Sequence, residues 1–416
     1  MPERDAKPAS ETSLVSRPLP WEGGRGEGAP LFGEADGNPK VAIVGAGPAG
    51  LALGLSLAQA GIACRIIDAR PRGAASHDRR VLALSHGSRQ ALERLDAWPA
   101  HAATPIASIH VSQKGSLGRS LIQAAEENLP ALGYVIDAGA LSARLADACA
   151  GKGIVVQHEA RVDSIEAQGN FARLHCSTPD GMRRIEASLV ACAEGAIGGD
   201  AGIARRDYAQ QAIVATVQPR EPHRLRAWER FTPTGPIALL PHASGFAVVW
   251  TVAEDAAAEL LALDDASFQA RLEQAFGGRF GFASAGERIA FPLGLRYRRE
   301  PVGTRMAWLG NAAQTLHPVA GQGFNLALRD VSTLAALLRG HDGDPGDATL
   351  LARYAAARRL DRGATMAFTD ALIRIFAGDN AALRHARGAA LALLDLLPPA
   401  RSFLARRMIF GARAWP

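Results

Sequence analysis

The chain has 416 residues, with 46 basic and 41 acidic side chains and a formal charge of +5. That length predicts two or three domains, and a composition nearly half hydrophobic excludes wholesale disorder. No run of five basic residues occurs, so the small positive charge reads as an arginine-rich solvated surface and not as a nucleic-acid interface. Cys64, Cys149, Cys176 and Cys192 lie too far apart for a zinc knuckle or a redox pair. No metal site is expected, and a reducing compartment, the cytoplasm, fits.

Residues 1–38 are rich in Gly, Pro, Glu and Arg and lack an apolar core segment. They predict a disordered leader and not a secretory signal. Residues 41–58 are uncharged and long enough to suggest a membrane span. Glycines at 45, 47, 50 and 54 and Pro48 favour a strand, a turn and a helix instead. A strand at 41–44, a helix at 49–60 closed by Gly61 and a strand at 63–68 make a βαβ unit.

A helix is predicted at 88–95, and strands at 108–112 and 120–123 flank a turn at Gly115–Gly118. A helix at 140–150, a strand at 154–157 and weak alternation over 160–174 follow. A strand at 187–193 runs into Glu194 and Gly195. Residues 208–292 read as strands at 212–217, 237–240, 246–252 and 288–293, with one helix near 265–276. A strand at 305–309 precedes helices from Phe324 onward. The expected fold is α/β: a Rossmann-like dinucleotide domain with an inserted, mostly antiparallel β domain and C-terminal helices. The expected boundaries give 39–106, 133–205 and 294–345 to the dinucleotide domain. Residues 107–132 and 206–293 go to a substrate domain, and 346–416 to a helical region.

The strongest local pattern is Gly45-Ala-Gly47-Pro-Ala-Gly50, placed after a strand and before a helix, with Asp68 ending the next strand. Gly45 permits the tight turn, Gly47 lets backbone approach a pyrophosphate, and Gly50 lets the helix pack close. The helix start offers free N–H groups to the phosphates, and Asp68 can accept hydrogen bonds from a ribose. The pattern predicts an adenine dinucleotide without choosing between NAD and FAD. No second fingerprint occurs, which favours a flavin that meets NAD(P)H transiently.

A second pattern runs Trp308-Leu-Gly310-Asn311-Ala-Ala-Gln-Thr-Leu-His317-Pro318-Val-Ala-Gly321-Gln322-Gly323-Phe-Asn325. Its glycines open a helix whose N–H groups suit an anion. With the first pattern it resembles the FAD-dependent aromatic hydroxylases of the p-hydroxybenzoate-hydroxylase fold. Within them it is similar to the ubiquinone-biosynthesis branch of the 2-polyprenyl-6-methoxyphenol hydroxylase type. Residues 78–88, 109–112, 230–241 and 291–293, with Tyr354 and Arg358, extend the likeness from about 41 to 376.

The resemblance implies that Gly45, Gly47 and Gly50 cradle the FAD pyrophosphate and Asp68 holds the ribose. Arg80 would approach the diphosphate region. Gly310 and Asn311 would meet the ribityl chain, Asn311 standing where most of the superfamily has Asp. Pro318, Gly321, Gln322 and Gly323 would flank the reacting ring, with Asn325 at its pyrimidine edge. Glu194 and Gly195 replace an Ala-Asp-Gly element, and the small polar residue and arginine that usually follow are lost across residues 196–199. No acid–base residue is assigned; His317 reads as a structural part of the loop. Ile237, Leu239, Pro241 and Phe291 are expected to line an apolar substrate pocket.

The activity implied is hydroxylation of a polyprenylated phenol: NAD(P)H reduces FAD, O2 adds at C4a, and the distal oxygen attacks the ring. Rival readings are a flavin dehydrogenase or reductase, and a non-catalytic scaffold of a quinone-synthesis complex. Residues 379–416 hold six arginines against two aspartates, interleaved with leucines. On pattern alone that mixture suits ordinary helix packing on the domains with the arginines outside as well as peripheral contact with an anionic membrane surface; a polyprenyl substrate favours the second, at the inner face of the cytoplasmic membrane or with a quinone-biosynthesis complex.

Overall fold

Strands gather into four sheets among the residues described by the computed structural model, which are 39–195, 202–278, 280–376, 378 and 380–411. The expected leader at 1–38 and residues 196–199 of the altered element lie outside them.

The apolar run at the start forms β1 (Val41–Val44), centre of a six-stranded sheet. On one side it pairs in parallel with β2 (Cys64–Ile67), which pairs with β8 (Val155–Gln157). On the other it pairs with β12 (Leu189–Cys192), then β20 (Met306–Trp308) and the antiparallel β19 (Val302–Gly303). Every residue of β1 is buried, because both faces are covered. Val41 and Ile43 face a core shared with α1 (Pro48–Gln59), α3 (Ala138–Gly151) and α6 (Gln322–Arg339). Ala42 and Val44 face the antiparallel meander of β9 (Arg161–Gln168), β10 (Phe171–Thr178) and β11 (Gly181–Ala187). The period-two alternation of a strand thus divides the two cores.

The largest sheet runs β21 (Gln314–Thr315), β18 (Ile289–Arg298), β13 (Ile203–Pro219), β16 (Gly245–Ala253), β15 (Gly235–His242), β14 (Arg226–Thr232), β5 (Ser108–Gln113) and β6 (Arg119–Gln123). A short β17 (Phe282–Ala285) pairs with β13, and only β14 and β5 run parallel. One face is roofed by α4 (Glu254–Ala262) and α5 (Asp265–Phe276). The other looks toward the dinucleotide domain. There Leu240 and Ala227 meet Val81, Ile106 and Val135. These last three belong to the small sheet of β3 (Val81–Ser85), β4 (Thr104–Ile106) and β7 (Gly133–Asp137). Strand β14 escapes the sequence pattern because Arg226, Glu229 and Arg230 interrupt its alternation; α4 was likewise not expected.

Helix α2 (His86–Arg94) follows β3, its Ser85 cap accepting from Ser88 N. Helix α7 (Ala348–Phe376) runs back along both domains, and Phe376 stacks on Phe231 of β14 at 3.8 Å. Helices α8 (Ala381–Leu396) and α9 (Pro398–Phe410) meet at 95° and close the face left open beyond β5 and β6. The expected architecture, a Rossmann-like domain with an inserted, mostly antiparallel sheet and C-terminal helices, is the one observed.

Candidate flavin site

The three fingerprint glycines have three different reasons. Gly45 sits at φ +106°, and a side chain there would press on the Ala193 backbone, its nearest oxygen 2.9 Å away. Gly50 faces the turn itself; a Cβ would lie 1.9 Å from Gly45 O. Gly47 has nothing within 4 Å of where its Cβ would stand. Two glycines therefore build the turn, and the third keeps a space clear at the start of α1, where N–H groups and the helix dipole attract phosphate.

Beside that space lies a compact charged group. Asp68 is buried, and its Oδ2 accepts from Ala46 N at 2.5 Å, tying the end of β2 to the glycine turn. Arg70 donates to both Asp68 oxygens, at 2.9 Å and 2.8 Å. Burial works against the Asp68 charge, but these bonds and the Arg70 cation win and hold its carboxyl below the ordinary range. Glu194, across the turn, moves the other way: desolvation first and the Asp68 charge second push it up. Arg80 is held bidentate by Asp78 in the turn before β3. The structure thus brings Gly45, Gly47, Gly50, Asp68, Glu194 and Gly195 together, with Gly195 also open to space.

The second pattern is fixed from below by a buried network that sequence reading missed. Asp330 of α6 has no exposure. Its Oδ2 accepts from Gly310 N at 3.1 Å and from Gln314 Nε2 at 2.7 Å, and its Oδ1 from Arg358 Nε of α7 at 2.7 Å. Arg362 donates to Gln314 Oε1, and Arg358 and Arg329 share Asp361. Tyr354 donates to Trp308 O. These groups clamp Gly310, at φ +54°, and the short turn that carries Asn311. Asn311 is half-buried, and its amide has no hydrogen bond to the described residues.

Further along, His317 is 1% exposed, and its Nδ1 accepts from Val319 N at 3.1 Å. Burial drives its pKa down to about 4, so the ring is neutral and Nε2 carries the proton. That N–H finds no partner among the described residues. The loop then turns through Ala320 at φ +60° and Gly321 at φ +61°, and a left-handed alanine is a strained position. A Cβ on Gly321 would meet Ala83 at 2.9 Å, whereas Gly323 faces open space. Gln322 turns away, bonding Ala320 O and reaching toward Met408 O of α9. Asn325 also turns inward. Its amide donates to Ala83 O and Gly321 O and accepts from Ser85 N and Ser88 Oγ. It is a rivet between α6, β3 and α2, and a free pyrimidine contact is not what its side chain offers.

The substrate residues divide by strand parity. Ile237 and Leu239 are fully buried under α4 and α5, on the face away from the 310–325 loop. Pro241 pairs with Phe246 and shares that face. This corrects the expectation for those three: they are core, not pocket. Phe291 pairs with Ala212, which pairs with Thr251, and lies on the inward face. Glu229 is inward too, flanked in register by Val111 and Ala238. It is half-buried, and burial lifts its carboxyl to about 7. Gln113 and Gln210, on the same face, each keep a buried carbonyl oxygen without a partner among the described residues. Among the described residues no cluster could hold a metal ion.

Open glycines at 47, 195 and 323, the unpaired Asn311 amide and the orphaned His317 N–H form a set of donors and cleared surfaces suited to a long anionic cofactor. With the fold, they define a flavin-dependent oxidoreductase. Residues 38–369 match the family model described as FAD binding domain. Ubiquinone hydroxylase UbiL of Rhodospirillum rubrum is 34% identical over 406 residues, spanning 93% of each chain. The 3-demethoxyubiquinol 3-hydroxylase of Escherichia coli is 30% identical over 376 residues, spanning 85% of this chain and 93% of that one. The chain belongs to the FAD-binding-domain family, in the branch of the ubiquinone-biosynthesis hydroxylases. Its fold is shared with p-nitrophenol 4-monooxygenase PnpA of Pseudomonas putida, at TM-score 0.71, 16% identity, 90% of this chain and 99% of that one. It is shared also with Klebsiella pneumoniae HpxO, solved with FAD and uric acid, at TM-score 0.69, 19% identity, and 90% and 97% of the two chains.

Proposed function

We propose that this protein is an FAD-dependent monooxygenase that hydroxylates a polyprenylated phenol in ubiquinone biosynthesis, with NAD(P)H as transient reductant and O2 as co-substrate. The observation that carries the reading is the glycine cradle and the clamped 310–325 loop, in a chain that matches ubiquinone-biosynthesis hydroxylases over most of its length. Bound FAD supplies the redox chemistry, taking a hydride and activating oxygen. The chain's own residues do the rest. Gly47 and the start of α1 receive the pyrophosphate, Asp68 the ribose, and Asn311 the ribityl chain. His317 Nε2–H and the backbone of Gly321–Gly323 meet the ring system from the α6 end. The inward face of the large sheet, with Phe291, Leu240 and Glu229, holds the phenol and excludes water.

A polyprenyl tail is insoluble in water, so the protein works in peripheral contact with a membrane or within a quinone-synthesis assembly. Among the described residues no single helix is long and apolar enough to cross a membrane. The decisive experiment mixes purified protein, NAD(P)H, labelled O2 and a short-chain prenylated phenol. The expected product carries one oxygen atom from O2. A yellow protein that oxidises NAD(P)H yet hydroxylates no such phenol overturns the substrate class.

A further inference from the structure

The C-terminal hairpin is arginine-rich in sequence, but three of its arginines, Arg387, Arg401 and Arg406, are already engaged. Arg401 donates to both carboxylate oxygens of Glu126, and Arg406 pairs with the buried Glu127 at 2.9 Å. Arg387 is buried and donates to Gly378 O. What α8 and α9 present outward is different. Every exposed position from Ala386 through Phe403 is Ala, Leu, Pro or Phe. Leu393 is 56% exposed and Leu396 77%.

A second element extends this surface. The β5–β6 turn packs glycine to glycine on α8: a Cβ on Gly118 would stand 1.7 Å from Gly388 O. That contact sets Leu117, wholly exposed, beside the outer face of α8, and Leu117, Ala389 and Ala392 border one groove. Residues far apart in sequence thus make one apolar patch, and contiguous apolar surface of this kind marks an interaction site. At its rim stand His385 and Arg406, both exposed.

We propose that this patch, formed by α8, α9 and the 115–118 turn, inserts among the acyl chains of a lipid bilayer, and that burial of leucine drives the insertion, not charge. A lipid interior accepts a face without exposed polar side chains, and none is exposed from Ala386 through Phe403. The 95° bend and its Pro398-Pro399 tip suit a wedge lying in the interface plane. The inference deepens the reading of a polyprenyl substrate, since the wedge would hold the enzyme where such a tail is dissolved.

The test uses the full-length protein and vesicles of neutral phosphatidylcholine. Wild type should sediment with them, with little change when salt rises tenfold. The double variant Leu393→Glu and Leu396→Glu, at exposed positions, should keep its FAD and its rate on a short-chain soluble phenol. It should lose vesicle binding and at least tenfold of its rate on a long-chain phenol delivered in vesicles. Binding that needs anionic lipid and vanishes in salt overturns the proposal. So does a double variant that sediments like wild type, or wild type that ignores vesicles and self-associates through this face. If wild type binds vesicles but hydroxylates neither phenol, the enzymatic reading fails and the surface stands.

Discussion

Asp330 accepts the backbone N–H of Gly310 at 3.1 Å, in a place with no exposure. One carboxylate thereby fixes the entry to the 310–325 loop, while its other oxygen holds Arg358 of α7. Replacing Asp330 with Asn leaves Arg358 with only Asp361, which it shares with Arg329, so the cost approaches the roughly 3–5 kcal/mol of an unpaired buried charge without reaching it. Flavin content should fall with stability. Thermal unfolding and the bound-flavin spectrum report both. A variant within about 1 kcal/mol of wild type that keeps its flavin would show that the loop is held by other contacts.

Two glycines three residues apart should fail in different ways. Gly50→Ala drives a methyl into Gly45 O and should unfold or aggregate. Gly47→Ala meets no protein atom, so the apoprotein should melt near wild type. Its methyl fills the space where the pyrophosphate is expected, and FAD affinity should drop at least tenfold. Equilibrium dialysis against FAD beside a melting curve separates the two outcomes.

The same strand supplies a contrast of faces. Leu239→Ala removes a fully buried side chain beneath α5 and should cost about 2–5 kcal/mol, with KM for the phenol unchanged in what remains folded. Phe291→Ala, on the inward face, should cost less stability and raise KM. Steady-state kinetics on both variants would reveal a reversed assignment at once.

Glu229 and His317 give opposite pH slopes. Glu229 holds its proton up to about pH 7 when folded, against an ordinary value of 4.5. Between those values the folded state binds the extra proton, so stability falls as pH rises. His317 resists protonation down to about 4, against 6.5. Between those values the unfolded chain binds the extra proton, so stability falls as pH drops. Over the shared window the two nearly cancel. Glu229→Gln should unmask the His317 slope and gain up to about 3 kcal/mol above pH 7. His317→Gln should unmask the other. Urea midpoints across mildly acid to mildly alkaline pH measure this, and three parallel curves would contradict it.

The glycine turn was legible in the sequence because its reasons are local: six residues, one strand before and one helix after. Asp68 followed because the βαβ unit sets its distance. Asp330, Arg358 and Arg362 were not legible as a network, since their partners sit on other elements and polar residues mid-helix usually face water. Strand alternation sets Ile237, Leu239 and Pro241 on one face of β15. It does not choose the buried face, because Ala238 and Leu240 make the other face apolar as well, and the expected pocket fell on the wrong one. For Asn325 the family resemblance implied a contact with the cofactor. Only the fold shows that β3, α2 and Gly321 of its own loop use its hydrogen bonds.

The central sheet carries a consequence for how the protein is made. Strand β1, beside the first glycine turn, is flanked by β12, and β12 is paired with β20, whose residues 306–308 come far later. The clamp on the second pattern waits longer still, for Arg358 and Arg362 of α7. A ribosome releasing this chain from its N-terminus exposes the glycine turn long before the 310–325 loop can be clamped. If the proposed site holds the flavin, its capture is a closing event of synthesis, and a chain interrupted before α7 would be a colourless one.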